Sequence, residues 1–153
     1  MLAFRSPRDL DDRKLICDSW ARCYRLSDQA GFVDMEAWMS VAIEQAKRYI
    51  TRPYVTALIA YEDEAWAAAA DIYGCIVADT TDPVPDLYHC YVKDEYRRRG
   101  FARALFAAAG IDPTRPFRFL CETRSSKAIA AAGKMPKATF DPVPIRTGRK
   151  DTT

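Results

Sequence analysis

The sequence predicts one mixed α/β domain whose sheet is mostly antiparallel with a single parallel pair. Three observations predict it. The chain has 153 residues, one domain at about 150 residues per domain, and its 49% apolar and 29% charged composition is that of a chain that buries a core without staples. Three β-rich runs follow one another, joined by turns, which suits antiparallel pairing. A strand-helix-strand unit then runs from Leu87 to Cys121, and such a crossover makes one parallel pair. The domain is expected to fill residues 1–148, with 149–153 a frayed tail.

The elements follow in order. A first helix is expected after Ser6-Pro7, with Asp9, Asp11 and Asp12 at its electropositive start. Ile16, Trp20, Cys23 and Tyr24 then share one helical face. A second helix is expected from an Asp34 N-cap, with Met35, Trp38, Met39, Ala42, Ile43, Ala46 and Ile50 on its apolar side; Pro53 ends it. Strands are expected over Tyr54–Tyr61, Ile72–Ala78 (with Gly74 marking a bulge) and Leu87–Val92. Glu62-Asp63-Glu64 is the polar exit of the first, and Ala65–Ala70 has no clear preference. Phe101–Ala109 reads as a helix closed by Gly110, Phe117–Cys121 as a short strand, and Ser125–Ala132 as a helix ended by Gly133. One more extended segment is expected at Ala138–Phe140.

Composition narrows the function. No apolar run approaches the ~18 residues of a membrane span, and the first residues lack a signal-peptide core, so no membrane role is expected. The cysteines (17, 23, 75, 90 and 121) are odd in number and lack CxxC spacing. They read as core thiols in a reducing, cytoplasmic setting. With His89 the sole histidine, no metal site is expected. Charge is divided unevenly: residues 1–92 carry 9 Lys/Arg against 15 Asp/Glu, a balance of −6, and residues 93–153 carry 14 against 6, a balance of +8. An anionic ligand therefore belongs with the C-terminal part.

The informative stretch is Tyr88 to Phe106. A strand runs into Arg97-Arg98-Arg99-Gly100-Phe101-Ala102-Arg103, and a helix follows. A helix N-terminus is already electropositive and holds unpaired N–H groups. Four arginines there crowd like charges unless an anion binds, and Gly100 and Ala102 leave room for phosphate oxygens at the backbone. Without an anion, the segment is a hydrated helix start with splayed arginines.

Arg97-x-x-Gly100-x-Ala102, between a strand ending at Val92 and a helix, resembles the Arg/Gln-x-x-Gly-x-Gly/Ala signature of the GNAT superfamily of acyl-CoA-dependent N-acyltransferases. Ala128-Ile129, on the helix after the next strand, resembles part of that family's Asn-x-x-Ala-Ile-x-x-Tyr segment. Ser125 stands where asparagine is common and Ala132 where the tyrosine is. The resemblance implies a mostly antiparallel sheet with one splayed parallel pair and acetyl-CoA as co-substrate. It implies that the loop and helix start, Arg97 to Arg103 with Phe101 and Ala102, bind its pyrophosphate, and that Tyr91 and Val92 pair with pantetheine amides. The implied reaction is direct transfer of an acyl group to an amine of a small molecule, peptide or protein. The common tyrosine, often the acid for the departing thiolate, is missing at Ala132.

An attacking amine must be neutral, so a base is needed. His89 suits by residue type and position, its reference pKa lying near 6.5. Strand alternation puts it on one face with Tyr91, and Tyr88, Cys90 and Val92 on the other. Glu122 is the second candidate base. Ser125 is a candidate partner for the CoA sulfur or an N-cap, and Cys90 and Cys121 read as packing rather than nucleophiles. Two other readings remain. Basic residues from Arg115 to Lys150 interspersed with Phe117, Phe119 and Phe140 suit a nucleic-acid acceptor, and the missing tyrosine suits a non-catalytic binding protein on the same fold. Short exposed strands near the tail allow a homodimer.

Overall fold

The computed structural model describes residues 1–25, 34–63, 71–120 and 124–140. The elements are β1 (Leu2–Arg5), α1 (Leu10–Arg25), α2 (Met35–Ile50), β2 (Thr56–Glu62), β3 (Ile72–Asp79), β4 (Asp86–Val92), α3 (Phe101–Ala108), β5 (Phe117–Phe119), α4 (Arg124–Ala131) and β6 (Ala138–Phe140), with a single 3-10 turn at Asp94–Tyr96. Among the described residues, six strands form one sheet in chain order. The pairs from β1 to β4 are antiparallel. Both β4–β5 and β5–β6 are parallel, so the expected single parallel pair is one of two; α4 makes a second crossover.

β1 was not anticipated. Its four residues show no alternation of burial and precede Ser6-Pro7, so nothing local marks them. The strand is fixed by pairing with β2 and by Arg5, whose Nη2 donates to Asp12 Oδ1 at 2.9 Å. Asp9 caps α1 by accepting the Asp12 N–H at 2.8 Å, as the acidic start predicts. Asp34 sits at the N-cap of α2 but makes no capping bond. The ambiguous Ala65–Ala70 segment, Cys121 and the tail beyond Phe140 lie outside the described residues.

Two apolar layers enclose the sheet. On one face Ile16, Trp20 and Ala21 of α1 and Ala42 and Ala46 of α2 pack on Ile59, Cys75, Val77 and Tyr88. On the other, Leu105, Phe106 and Ala109 pack on Ile76, Ala78, Leu87 and Phe117. Alternation breaks at two register shifts. Against β2, β3 carries an extra residue at Tyr73-Gly74, close to the expected bulge. Against β3, β4 carries an extra residue at Tyr88, since Val77 faces His89 and Ala78 faces Leu87. This corrects the expected division of β4: Tyr88 joins His89 and Tyr91 on the α1–α2 face, because one inserted residue shifts every side chain before it to the opposite face.

Among the described residues, no helix is long and apolar enough to cross a membrane.

Candidate active site

The site begins where β4 parts from β5. The two strands pair only at Asp86–Arg118 and Leu87–Phe119, while β4 continues to Val92 alongside β3. Beyond that pair, no described strand lies on the outer side of β4. Lys93 N–H donates to Tyr73 O at 2.9 Å, so by alternation the backbone groups of Tyr91 and His89 face β3 and those of Cys90 and Val92 face the gap. Of the two residues expected to pair with pantetheine, Val92 therefore turns its backbone groups to the gap, as does Cys90, whereas Tyr91 has its backbone turned inward. A register of ladder bonds, invisible in the sequence, makes that difference.

Gly74 holds β4 in place. A Cβ at that position would lie 2.1 Å from the Tyr91 carbonyl oxygen, so the two strands approach too closely for any side chain.

After Val92 the chain makes the 3-10 turn, and Arg97 N–H donates to Asp94 O at 3.3 Å. The Arg97 guanidinium turns back: Nε donates to Val92 O at 3.1 Å and Nη2 lies 2.9 Å from Asp94 Oδ1. It fastens the end of β4 to the turn. Arg98 has φ +63°, the one non-glycine residue with positive φ among the described residues, and Gly100 at the N-cap of α3 has φ +87°. A left-handed arginine costs about 1–3 kcal/mol, and such strain collects at ligand-binding turns. Successive backbone N–H groups in a turn conformation can make an anion-binding concavity.

The helix start beside the turn has the donors an anion needs. The first intrahelical bond is Ala104 N–H to Gly100 O at 3.0 Å, leaving the N–H groups of Phe101, Ala102 and Arg103 without a helical partner. No acidic residue occupies the first turn of α3. Space around Gly100 is open, with nothing within 4 Å of where a Cβ would be. Arg98, Arg99 and Arg103 are exposed and form no ion pair among the described residues; Arg99 lies over the Tyr96 ring at 6.0 Å. Three unpaired guanidinium groups therefore face solvent at the positive end of a helix, where an anion reverses the repulsion.

His89 lies beneath the helix layer rather than in the gap. It is 4% exposed, stacked on Trp20 at 5.5 Å and Tyr91 at 6.4 Å. Its Nε2 is 2.8 Å from Ser19 Oγ, which also donates to Ile16 O at 3.0 Å. Burial pushes the imidazole pKa down to about 3, so the ring is neutral near neutrality. Burial also raises the Cys75 thiol to about 12 and the Cys90 thiol further; both stay protonated and pack. Glu122 lies outside the described residues. Ser125 is inside α4, one residue past its start, and so is not the N-cap. Ala132, at the position of the common tyrosine, closes α4 with its N–H on Ala128 O at 3.1 Å. No cluster of metal-ligating side chains occurs among the described residues.

The fold is similar to that of the PaiA N-acetyltransferase of Thermoplasma acidophilum, solved in complex with coenzyme A, at 17% identity and TM-score 0.58 over 88% of this chain and 87% of that one. It is also similar to a ribosomal-protein-alanine N-acetyltransferase of Brucella melitensis biovar Abortus 2308, at 14% identity and TM-score 0.45 over 95% of this chain and 81% of that one. No curated protein matches the sequence. Residues 14–109, running from α1 through the last turn of α3, match the family profile described as acetyltransferase (GNAT) family. The strand gap, the arginine turn and the helix that follows it all fall at the end of that span, and the chain belongs to the GNAT acetyltransferase family.

Proposed function

We propose that the protein transfers an acetyl group from acetyl-CoA to a primary amine by direct attack. The observation that carries this reading is the turn from Arg97 to Arg103: a strained Arg98, an open Gly100, unpaired helix-start amides and three unpaired arginines. The amides and guanidinium groups supply donors and charge for a diphosphate and a third phosphate. The outward backbone groups of Cys90 and Val92 offer a β-strand edge on which an extended amide-containing arm pairs. The Val92 carbonyl is shared with Arg97, so that arginine sets the strand end, and its remaining N–H groups join Arg98, Arg99 and Arg103 in facing the phosphates.

In the reaction the amine nitrogen attacks the thioester carbon, the C–N bond forms, the C–S bond breaks, and the thiolate of coenzyme A takes up a proton. The amine gives up one proton overall. His89, with a pKa of about 3, holds a proton poorly, so its part in this scheme is as a neutral ring that hydrogen-bonds Ser19 beneath α1. Glu122 and Ser125 are the remaining positions for proton transfer and for a hydrogen bond to sulfur. The acceptor is an amine of a small molecule, peptide or protein.

Release of free thiol from acetyl-CoA, measured against a panel of polyamines, amino sugars and peptide amines, tests the reading. Acceptor-dependent release in the wild type, lost in Gly100→Glu, is expected. Binding of coenzyme A without release for any amine supports the non-catalytic alternative that Ala132 favours.

A further inference from the structure

The turn read above as the phosphate site has a support of its own on a neighbouring strand. Along β3, Ile72, Cys75 and Val77 pack on the α1–α2 face, and Tyr73, Ile76 and Ala78 on the α3 face. Tyr73 and Cys75 are two residues apart and should share a face, yet they do not. The extra residue at Tyr73-Gly74 separates them and delivers the Tyr73 ring to the side where α3 begins. There it stacks on Phe101, with centroids 4.4 Å apart and planes at 18°, and meets Tyr96 edge-on at 4.7 Å. Tyr96 and Phe101 are themselves edge-on at 6.1 Å.

Tyr96 is the last residue before Arg97, and Phe101 the first after Gly100. The three rings thus grip both ends of the Arg97–Gly100 segment. Tyr73 is in turn fixed from two directions: its hydroxyl donates to the Glu62 carboxylate of β2, and its carbonyl accepts the Lys93 N–H at 2.9 Å. The gripped segment contains the left-handed Arg98 and a crowd of like charges, both of which favour a looser loop before an anion arrives. Strain of this kind persists only where surrounding contacts over-determine the backbone.

We propose that Tyr73 is a positioning residue for the donor: through Tyr96 and Phe101 it holds the Arg97–Arg103 turn in its anion-binding shape before coenzyme A binds. This rests on the reading of that turn as the phosphate site, and the test separates the two. Tyr73→Leu, Tyr96→Leu and Tyr73→Phe are made in the full chain. Coenzyme A affinity is read by calorimetry, and tryptic cleavage of the ligand-free protein is mapped by mass.

Removing either clamp ring weakens coenzyme A by about tenfold, while Tyr73→Phe, which keeps the ring and loses only the Glu62 bond, stays within about two-fold of wild type. Cleavage at Arg97–Arg99 accelerates in the leucine variants, with cleavage elsewhere unchanged. A general loss of structure accelerates every site and contradicts the proposal. So does wild-type affinity and cleavage in the leucine variants. If Tyr73→Leu does not fold, Tyr96→Leu decides, because that ring lies in the turn and not in the sheet. A wild type that binds no coenzyme A overturns the phosphate reading and the donor role with it; a wild type that binds, beside leucine variants that bind equally, overturns the clamp alone.

Discussion

His89 shows how far one residue's surroundings can move its chemistry. From residue type alone it is a base matched to neutral pH. In the fold it is sealed under Trp20, bonded to Ser19 and held near pKa 3. The sign of the consequence is fixed: between pH 6.5 and about 3 the unfolded chain binds a proton at this position that the folded chain refuses. Stability from this group is therefore complete above pH 6.5 and falls as the pH drops, by about 1.4 kcal/mol per unit. Denaturant midpoints at pH 7.5 and pH 5.0 should show a wild-type loss exceeding that of His89→Gln by about 2 kcal/mol. Equal losses in the two proteins place the titration elsewhere. For the same reason the acid limb of kcat/KM is expected to follow the acceptor amine, with no inflection near 6.5 from His89. Arg97 is a second case. It stands in the signature as a phosphate ligand, and two of its five N–H donors also fasten Val92 and Asp94. Sequence shows which residues gather at a turn; it does not show which of them are spent holding the turn together.

At the scale of elements, the helices were legible because their signals are local: the acidic cap of α1, the apolar stripe of α2, the glycine that closes α3. The strands β2, β3 and β4 were legible for the same reason. What escaped depends on pairing between distant segments. β1 exists only through β2, the second parallel pair through β6, and the bulge at Tyr88, which moves that ring to the α1–α2 face, through the register of β3. The outward position of Cys90 follows from that register too. Gly74 ties these facts together, since the approach of β3 to Tyr91 and Val92 leaves no room for a methyl group. Gly74→Ala should cost about 3 kcal/mol, because the obstacle is backbone and cannot rotate away. Thermal unfolding checks it, and a variant as stable as wild type shows that the two strands sit further apart.

For the whole molecule, the uneven charge found in the sequence acquires a place. The arginines of the balance of +8 in residues 93–153 include three at the mouth of the strand gap without carboxylate partners. Exposed charges of this kind are screened within about 8 Å at physiological salt. Coenzyme A affinity should therefore fall about tenfold between 50 and 500 mM potassium chloride. An affinity indifferent to salt means the arginines do not meet the phosphates. Less of the acyl-transfer chemistry was legible: Glu122 and Ser125 were singled out by residue type and position alone, and Glu122 lies outside the described residues. The most direct measurement compares coenzyme A with pantetheine, which keeps the arm and lacks every phosphate, by calorimetry on the wild type and on Gly100→Glu. The expectation is that the wild type binds coenzyme A at least about 100-fold more tightly than pantetheine, and that Gly100→Glu abolishes the difference. Equal binding of the two ligands by the wild type, or a difference that survives the substitution, contradicts it.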